Sequence, residues 1–148
     1  MILIDVNLLL YATFSSFEQH DPARAWFEGV LNGDEEVLLP NVSLFGFIRI
    51  GTNPRIFEAP LRIEEALETV ESWLGQPQVH FLVPGPRHLE TAFSLLRKLG
   101  AARNLTTDVQ LAALAIENQA VLHSNDSDFA RFDGLRWVNP LATKARKK

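Results

Sequence analysis

The sequence predicts an α/β domain in which helices cover both faces of a mostly parallel sheet. Three observations carry that expectation. Short, continuous apolar runs such as Met1–Ile4 suit strands buried on both faces. Longer segments with apolar residues at three- and four-residue steps stand between those runs. The order that results, a strand and then helices, repeated to a closing strand, is that of a three-layer α/β/α domain.

The elements follow in order. Met1–Ile4 is the first strand, ended by Asp5, and Val6–Ala12 reads as helix. His20–Leu31 carries Ala23, Trp26, Phe27, Val30 and Leu31 on one stripe, and Asn32-Gly33-Asp34 stops it. Val37–Leu39 is a second strand. Val42–Gly51 is a helix closed by Gly51 and Pro54. Ile63–Leu74 is a helix with Ile63, Ala66, Leu67, Val70 and Leu74 on its apolar face. Val79–Val83 is a third strand, broken by Pro84-Gly85-Pro86. His88–Leu99 is a helix that stops at Gly100. Thr107 and Gln110 have the spacing of a capping box, which predicts a helix beginning at Thr107 and running through Leu111–Ile116. Ala120–His123 is a fourth strand and Leu135–Val138 a fifth.

Composition narrows the class. The chain has 148 residues, 47% apolar and 22% charged, and no cysteine. That length suits one domain able to bury roughly two-thirds of its unfolded surface. The domain is expected over residues 1–141, with residues 142–148 a basic, disordered tail. Zero cysteine excludes a disulfide framework, a thiolate zinc site and a cysteine nucleophile, and it fits a cytoplasmic protein. No apolar run approaches the ~18 residues of a membrane span. The opening MILIDVNLLLYATF lacks a basic leader and contains Asp5, so it reads as strand and helix rather than a secretory signal. The formal net charge is −4, but four of the 14 basic residues are Lys144, Arg146, Lys147 and Lys148. Residues 1–143 hold 10 basic and 18 acidic groups, a net of −8. Such a body does not by composition alone suggest nucleic acid as partner.

The chemistry sits with the acids at element ends. No Gly-x-Gly-x-x-Gly follows the first strand; Asp5-Val6-Asn7 stands there, and a carboxylate repels a pyrophosphate. Asp5 ends the first strand. Asp126 and Asp128 follow the fourth. Asp108 falls in the first turn of a helix, where the dipole favours an acid. In open α/β sheets the carboxyl ends of strands hold the ligand. If the first and fourth strands are neighbours, all four carboxylates converge, and hard oxygen ligands in that number suit Mg²⁺ or Mn²⁺. Taken singly, Asp108 also fits an ordinary helix start, and Asp126 with Asp128 an ordinary Asx turn. Trp26, Trp73 and Trp137 read as core anchors, His123 as a core or rim histidine, and Glu64, Glu65, Glu68 and Glu71 as a solvated helix face.

These residues resemble the PIN-domain ribonucleases, and within them the VapC-type toxins of bacterial toxin–antitoxin pairs. Ile4-Asp5-Val6-Asn7-Leu8-Leu9 is similar to the family's first-strand motif. Thr52-Asn53-Pro54-Arg55-Ile56-Phe57 resembles a segment of one branch. Asn104-Leu105-Thr106-Thr107-Asp108 resembles the start of its third-acid helix. Ser124-Asn125-Asp126-Ser127-Asp128-Phe129-Ala130-Arg131-Phe132, with Gly134-Leu135-Arg136 and Asn139-Pro140-Leu141, resembles the closing signature. The resemblance spans Met1 to about Pro140 and implies a PIN-like fold.

It also implies an acidic site that binds Mg²⁺ or Mn²⁺ and hydrolyses phosphodiester bonds in RNA. Asp5, Asp108 and Asp126 are then the core carboxylates, Asp128 assists, and Asn7 orients Asp5 or a water. One departure stands out. Many members carry a glutamate before a Phe-aliphatic-Arg triplet, and here Gly46 precedes Phe47-Ile48-Arg49. That leaves open whether one ion binds or two. An ion at the cluster lowers the pKa of water for in-line attack, with Asp126 orienting the water or taking its proton. Arg49, Arg55, Arg103 and the tail are the candidate RNA contacts. The expected partners are RNA, a VapB-type antitoxin whose arginine pairs with the carboxylates, and a second copy of the chain. Phe14, Phe17, Phe45 and Phe47 allow an exposed apolar patch for such contacts.

Two other readings compete. A PIN-like module without catalysis, binding RNA or protein, is motivated by Gly46. A phosphohydrolase of the haloacid dehalogenase type also places aspartate after its first strand. It needs a second aspartate where this chain has Asn7, and Lys98 is the only lysine before the tail.

Overall fold

The computed structural model describes residues 1–142. Five strands form one sheet: β1 (Ile2–Ile4), β2 (Val37–Pro40), β3 (Val79–Leu82), β4 (Val121–His123) and β5 (Trp137–Val138). Their order is β3-β2-β1-β4-β5, and every pairing is parallel. The first and fourth strands are therefore neighbours, with Ile4 opposite His123. Six helices join them: α1 (Val6–Thr13), α2 (His20–Leu31), α3 (Asn41–Gly51), α4 (Ile63–Leu74), α5 (His88–Leu99) and α6 (Thr106–Glu117). A 3₁₀ turn, Ser127–Arg131, follows β4. No helix among the described residues is long and apolar enough to cross a membrane.

The strands are apolar on both faces because each face meets a helical layer. Ile2, Ile4, Val37 and Leu39 pack with residues of α1–α4. Leu3, Leu38 and Leu122 point the other way, into the layer of α5 and α6. Burial of this kind contributes about 25 cal/mol per Å² of apolar surface, so both layers are needed to hold β1 in the centre. Trp73 is buried against Phe27 and Phe47, as a core anchor should be.

Several boundaries differ from the expected ones. β3 ends at Leu82 and β5 shortens to two residues. Thr107 is not a cap: α6 begins at Thr106, its N-cap is Leu105 without a side-chain bond, and the Gln110 amide donates to the Thr106 carbonyl instead. The cap lies two residues earlier than the capping-box spacing predicts, which places Thr107 inside the first turn. The expected apolar patch is also corrected. Phe14 and Phe47 lie in the core, Phe14 stacked on Phe57, and of the four phenylalanines only Phe45 is largely exposed. The tail expected to be disordered falls, from residue 143 on, outside the described residues.

Candidate active site

The sheet delivers its acids to one edge. All strands run the same way, so the residues after β1 and β4 emerge side by side. Asp5 follows Ile4 and becomes the N-cap of α1, its Oδ1 accepting from the Val6 amide at 2.7 Å. An aspartate cap satisfies an amide the helix leaves unpaired. Its other oxygen accepts from the Ser124 hydroxyl at 2.7 Å. Asp5 is only 6% exposed. Burial, the largest influence, pushes its pKa up, as does the charge of Asp126; the bonds from Ser124 and Val6 oppose this.

Asp108, Asp126 and Asp128 form the open part of the site. Each offers an oxygen within 4.8 Å of the other two, and each is half-buried. Asp126 caps the 3₁₀ turn, its Oδ1 accepting from the Asp128 amide at 2.9 Å. Asp108 reaches the same place from the first turn of α6. Its pKa is pushed up to about 6, first by desolvation and then by the charges of Asp126, Asp5 and Asp128. Arg131, which donates to Asp128 at 3.1 Å, relieves part of this. Three carboxylates this close repel one another, and a divalent cation with oxygen preference answers that repulsion. The donor set thus fits Mg²⁺ or Mn²⁺.

The four expected acids therefore divide. Three converge at the surface, and Asp5 stands behind them, outside the 4.8 Å group and already hydrogen-bonded on both oxygens. Asn7 makes no hydrogen bond to Asp5. It donates to the Ser124 hydroxyl at 3.2 Å and accepts from the Asn125 amide at 3.5 Å. The junction is Ser124, which is fully buried. Its hydroxyl donates to Asp5 and accepts from Asn7 and from the Asp126 amide. The sequence places Ser124 at the head of the closing signature but assigns it no role, because a serine after a strand carries no chemistry legible from its type alone. Arg131, also in that signature, receives no role from the sequence either, although it sits three positions after Asp128 and bonds it.

The remaining candidates are placed as follows. Arg49 lines a cleft of about 470 Å³ with Phe45, Gly46 and Thr107, the neighbour of Asp108. Arg103 and Arg131 share a smaller cleft of about 210 Å³. Arg55 lies in a turn whose Asn53 carboxamide accepts from the Arg55 amide. No hydrogen bond or ion pair among the described residues ties Arg55 to the carboxylates. His123 stacks on Trp26, and burial pushes its pKa down to about 4. It is part-buried, packed on Trp26. At Gly46 an added Cβ would lie 3.3 Å from the Val6 Cγ2 atom, so the Val6 side chain would have to give by a few tenths of an ångström.

Comparison with known proteins shows the family. The PIN domain family matches residues 2–135. Ribonuclease VapC33 of Mycobacterium tuberculosis is 52% identical over 141 residues, 95% of this chain and 99% of that protein. Two solved structures share the fold at low identity. Mycobacterium tuberculosis VapC20, described as a sarcin–ricin loop cleaving toxin, has a TM-score of 0.68 at 16% identity, covering 92% of this chain and 99% of its own. A toxin–antitoxin complex from Klebsiella pneumoniae has a TM-score of 0.65 at 16% identity, covering 95% and 98%. The chain belongs to the PIN-domain family and, within it, to the VapC ribonucleases.

Proposed function

We propose that this protein is a metal-dependent endoribonuclease, the toxin of a cytoplasmic toxin–antitoxin pair. The observation that carries the reading is the convergence of Asp108, Asp126 and Asp128 within 4.8 Å at the carboxyl edge of a parallel sheet, in a chain half identical to a named ribonuclease.

Asp108, Asp126 and Asp128 would hold the ion. When bound, Mg²⁺ or Mn²⁺ supplies Lewis acidity toward water and a phosphate oxygen and offsets the charge of the cluster. Asp126 has one oxygen committed to the Asp128 amide, which leaves the other to orient a water and take its proton. Asp5 adds negative charge from behind, and Ser124 holds it in place. Arg49, Arg103 and Arg131 line the clefts beside the cluster and suit phosphate contacts. The partner is a VapB-type antitoxin that shields the carboxylates, and the active form is a homodimer.

Water as nucleophile leaves a 5′-phosphate and a 3′-hydroxyl. Total RNA incubated with the purified protein should be cut with Mg²⁺ or Mn²⁺, remain intact in EDTA, and show those ends on mapping. Products ending in a 2′,3′-cyclic phosphate contradict the reading.

A further inference from the structure

α3 turns one phenylalanine inward and one outward. Phe47 is fully buried, whereas Phe45 is 67% exposed, more than any other large apolar side chain among the described residues. The helix is fixed at the edge that carries the carboxylates. Its buried Ser43 hydroxyl donates to the Ile4 carbonyl at 2.7 Å, one residue before Asp5. Phe45 is therefore held in water by a rigid element, at a place where the fold makes no use of its ring.

The ring lines the cleft of about 470 Å³ that it shares with Gly46, Arg49 and Thr107. Two walls of that cleft adjoin the acids. Thr107 precedes Asp108, and Gly46 lies against Val6, the residue after Asp5. Arg49 stands one turn beyond Phe45 on the same face of α3, and no ion pair among the described residues engages it. The volume falls within the roughly 300–1,000 Å³ of small-molecule sites, so a nucleobase fits. A single RNA strand matches all three features at once. It offers a flat base to the ring, a phosphate to Arg49 and a phosphodiester running on to the carboxylates. An apolar side chain from a protein would use the ring and leave the charge and the shared wall unexplained.

We propose that Phe45 is the stacking platform for one unpaired base of the RNA beside the cleaved bond, with Gly46 leaving room for it in the cleft. The inference rests on the ribonuclease reading. A base inside a duplex is stacked on both faces and cannot lie on the ring, so the substrate is single-stranded at that nucleotide. Every base has a π-face, so the platform selects for an unpaired nucleotide rather than for a particular one. Gly46 keeps the cleft open, and even a Cβ there would press on Val6 at 3.3 Å.

The test uses the full-length protein and a short single-stranded RNA spanning a mapped cut. Two further substrates each lack the base at one nucleotide flanking that cut. With wild type, one of the two abasic RNAs should raise KM about tenfold. Phe45→Ala should show that rise already on the intact RNA and no further rise on the abasic one, with kcat changed much less. Phe45→Trp should restore KM, and Phe45→Leu, apolar but without a π-face, should not. Unchanged KM in Phe45→Ala, or the full abasic penalty retained in that variant, overturns the platform and leaves the ribonuclease standing. Weaker antitoxin binding or a shift to monomer on sedimentation, with KM unchanged, assigns the ring to a protein partner and overturns it equally. Wild-type protein that cuts no RNA in Mg²⁺ or Mn²⁺ overturns both readings.

Discussion

The two ends of α6 treat their acids in opposite ways. At the N-terminal end, Asp108 faces Asp126 and Asp128, and among the described residues Arg131 alone answers them. At the C-terminal end, Glu117 is as well buried as its partner His88 and bonds it at 3.1 Å. One end has its partner in place, and the other keeps a repulsion that the described residues relieve only in part. A buried acid that serves the fold has its partner built in. A group of half-buried acids without one could hold a cation.

Substitutions should separate the two ends. The largest effect is expected at Asp126: Asp126→Asn should lower RNA cleavage on the order of 10³-fold, since general acid–base groups alone contribute 10²–10⁴. Its metal-free melting temperature should hold or rise, because one repelling charge is gone. Cleavage within tenfold of wild type would break the contrast. Ser124→Ala comes next. It strips one bond from Asp5 and removes the acceptor for Asn7 and Asp126, so stability should fall by about 1–3 kcal/mol and kcat with it. Normal kcat at reduced stability would make Ser124 structural only.

Glu117→Ala should act on stability alone. Losing the bond to His88 should destabilise by about 1–3 kcal/mol in chemical denaturation, with kcat unchanged. A loss of activity without a loss of stability would show that the far end of α6 is not independent.

The smallest effect is in pH. The folded pKa of Asp108 is about 6, above the ~3.9 of an unfolded aspartate. Asp5 is shifted in the same direction. The associated stability is full below the unfolded value and is lost as pH rises through about 6. In EDTA the melting temperature should therefore decline between pH 5 and pH 7. Mn²⁺ should reverse that decline, and its affinity should strengthen over the same interval. A flat profile in EDTA would argue that the acids are already neutralised.

Much of this contrast is legible in the residues. Asp5, Asp108 and Asp126 mark themselves because each follows a strand or opens a helix, and parallel strands bring such positions to one edge. The alternation of runs and stripes suffices for the layers. What is hidden is how side chains share the crevice. Asp5 belongs to the constellation by position, yet its two oxygens are taken by Ser124 and Val6. Ser124 is central because of what surrounds it, not because of its residue type. Phe14 and Phe47 are buried where Phe45 is not, a difference that depends on how α1 and α3 meet. Thr107 fits a capping pattern, but α6 starts two residues too early for it.

Direct titration of the metal-free protein with Mn²⁺ near pH 7 tests the central assignment. Wild type and Glu117→Ala should bind alike, and Asp126→Asn should bind at least tenfold more weakly, the equivalent of about 1.4 kcal/mol. Equal binding by all three proteins, or none by the wild type, would contradict the assignment of Asp108, Asp126 and Asp128 as the metal site.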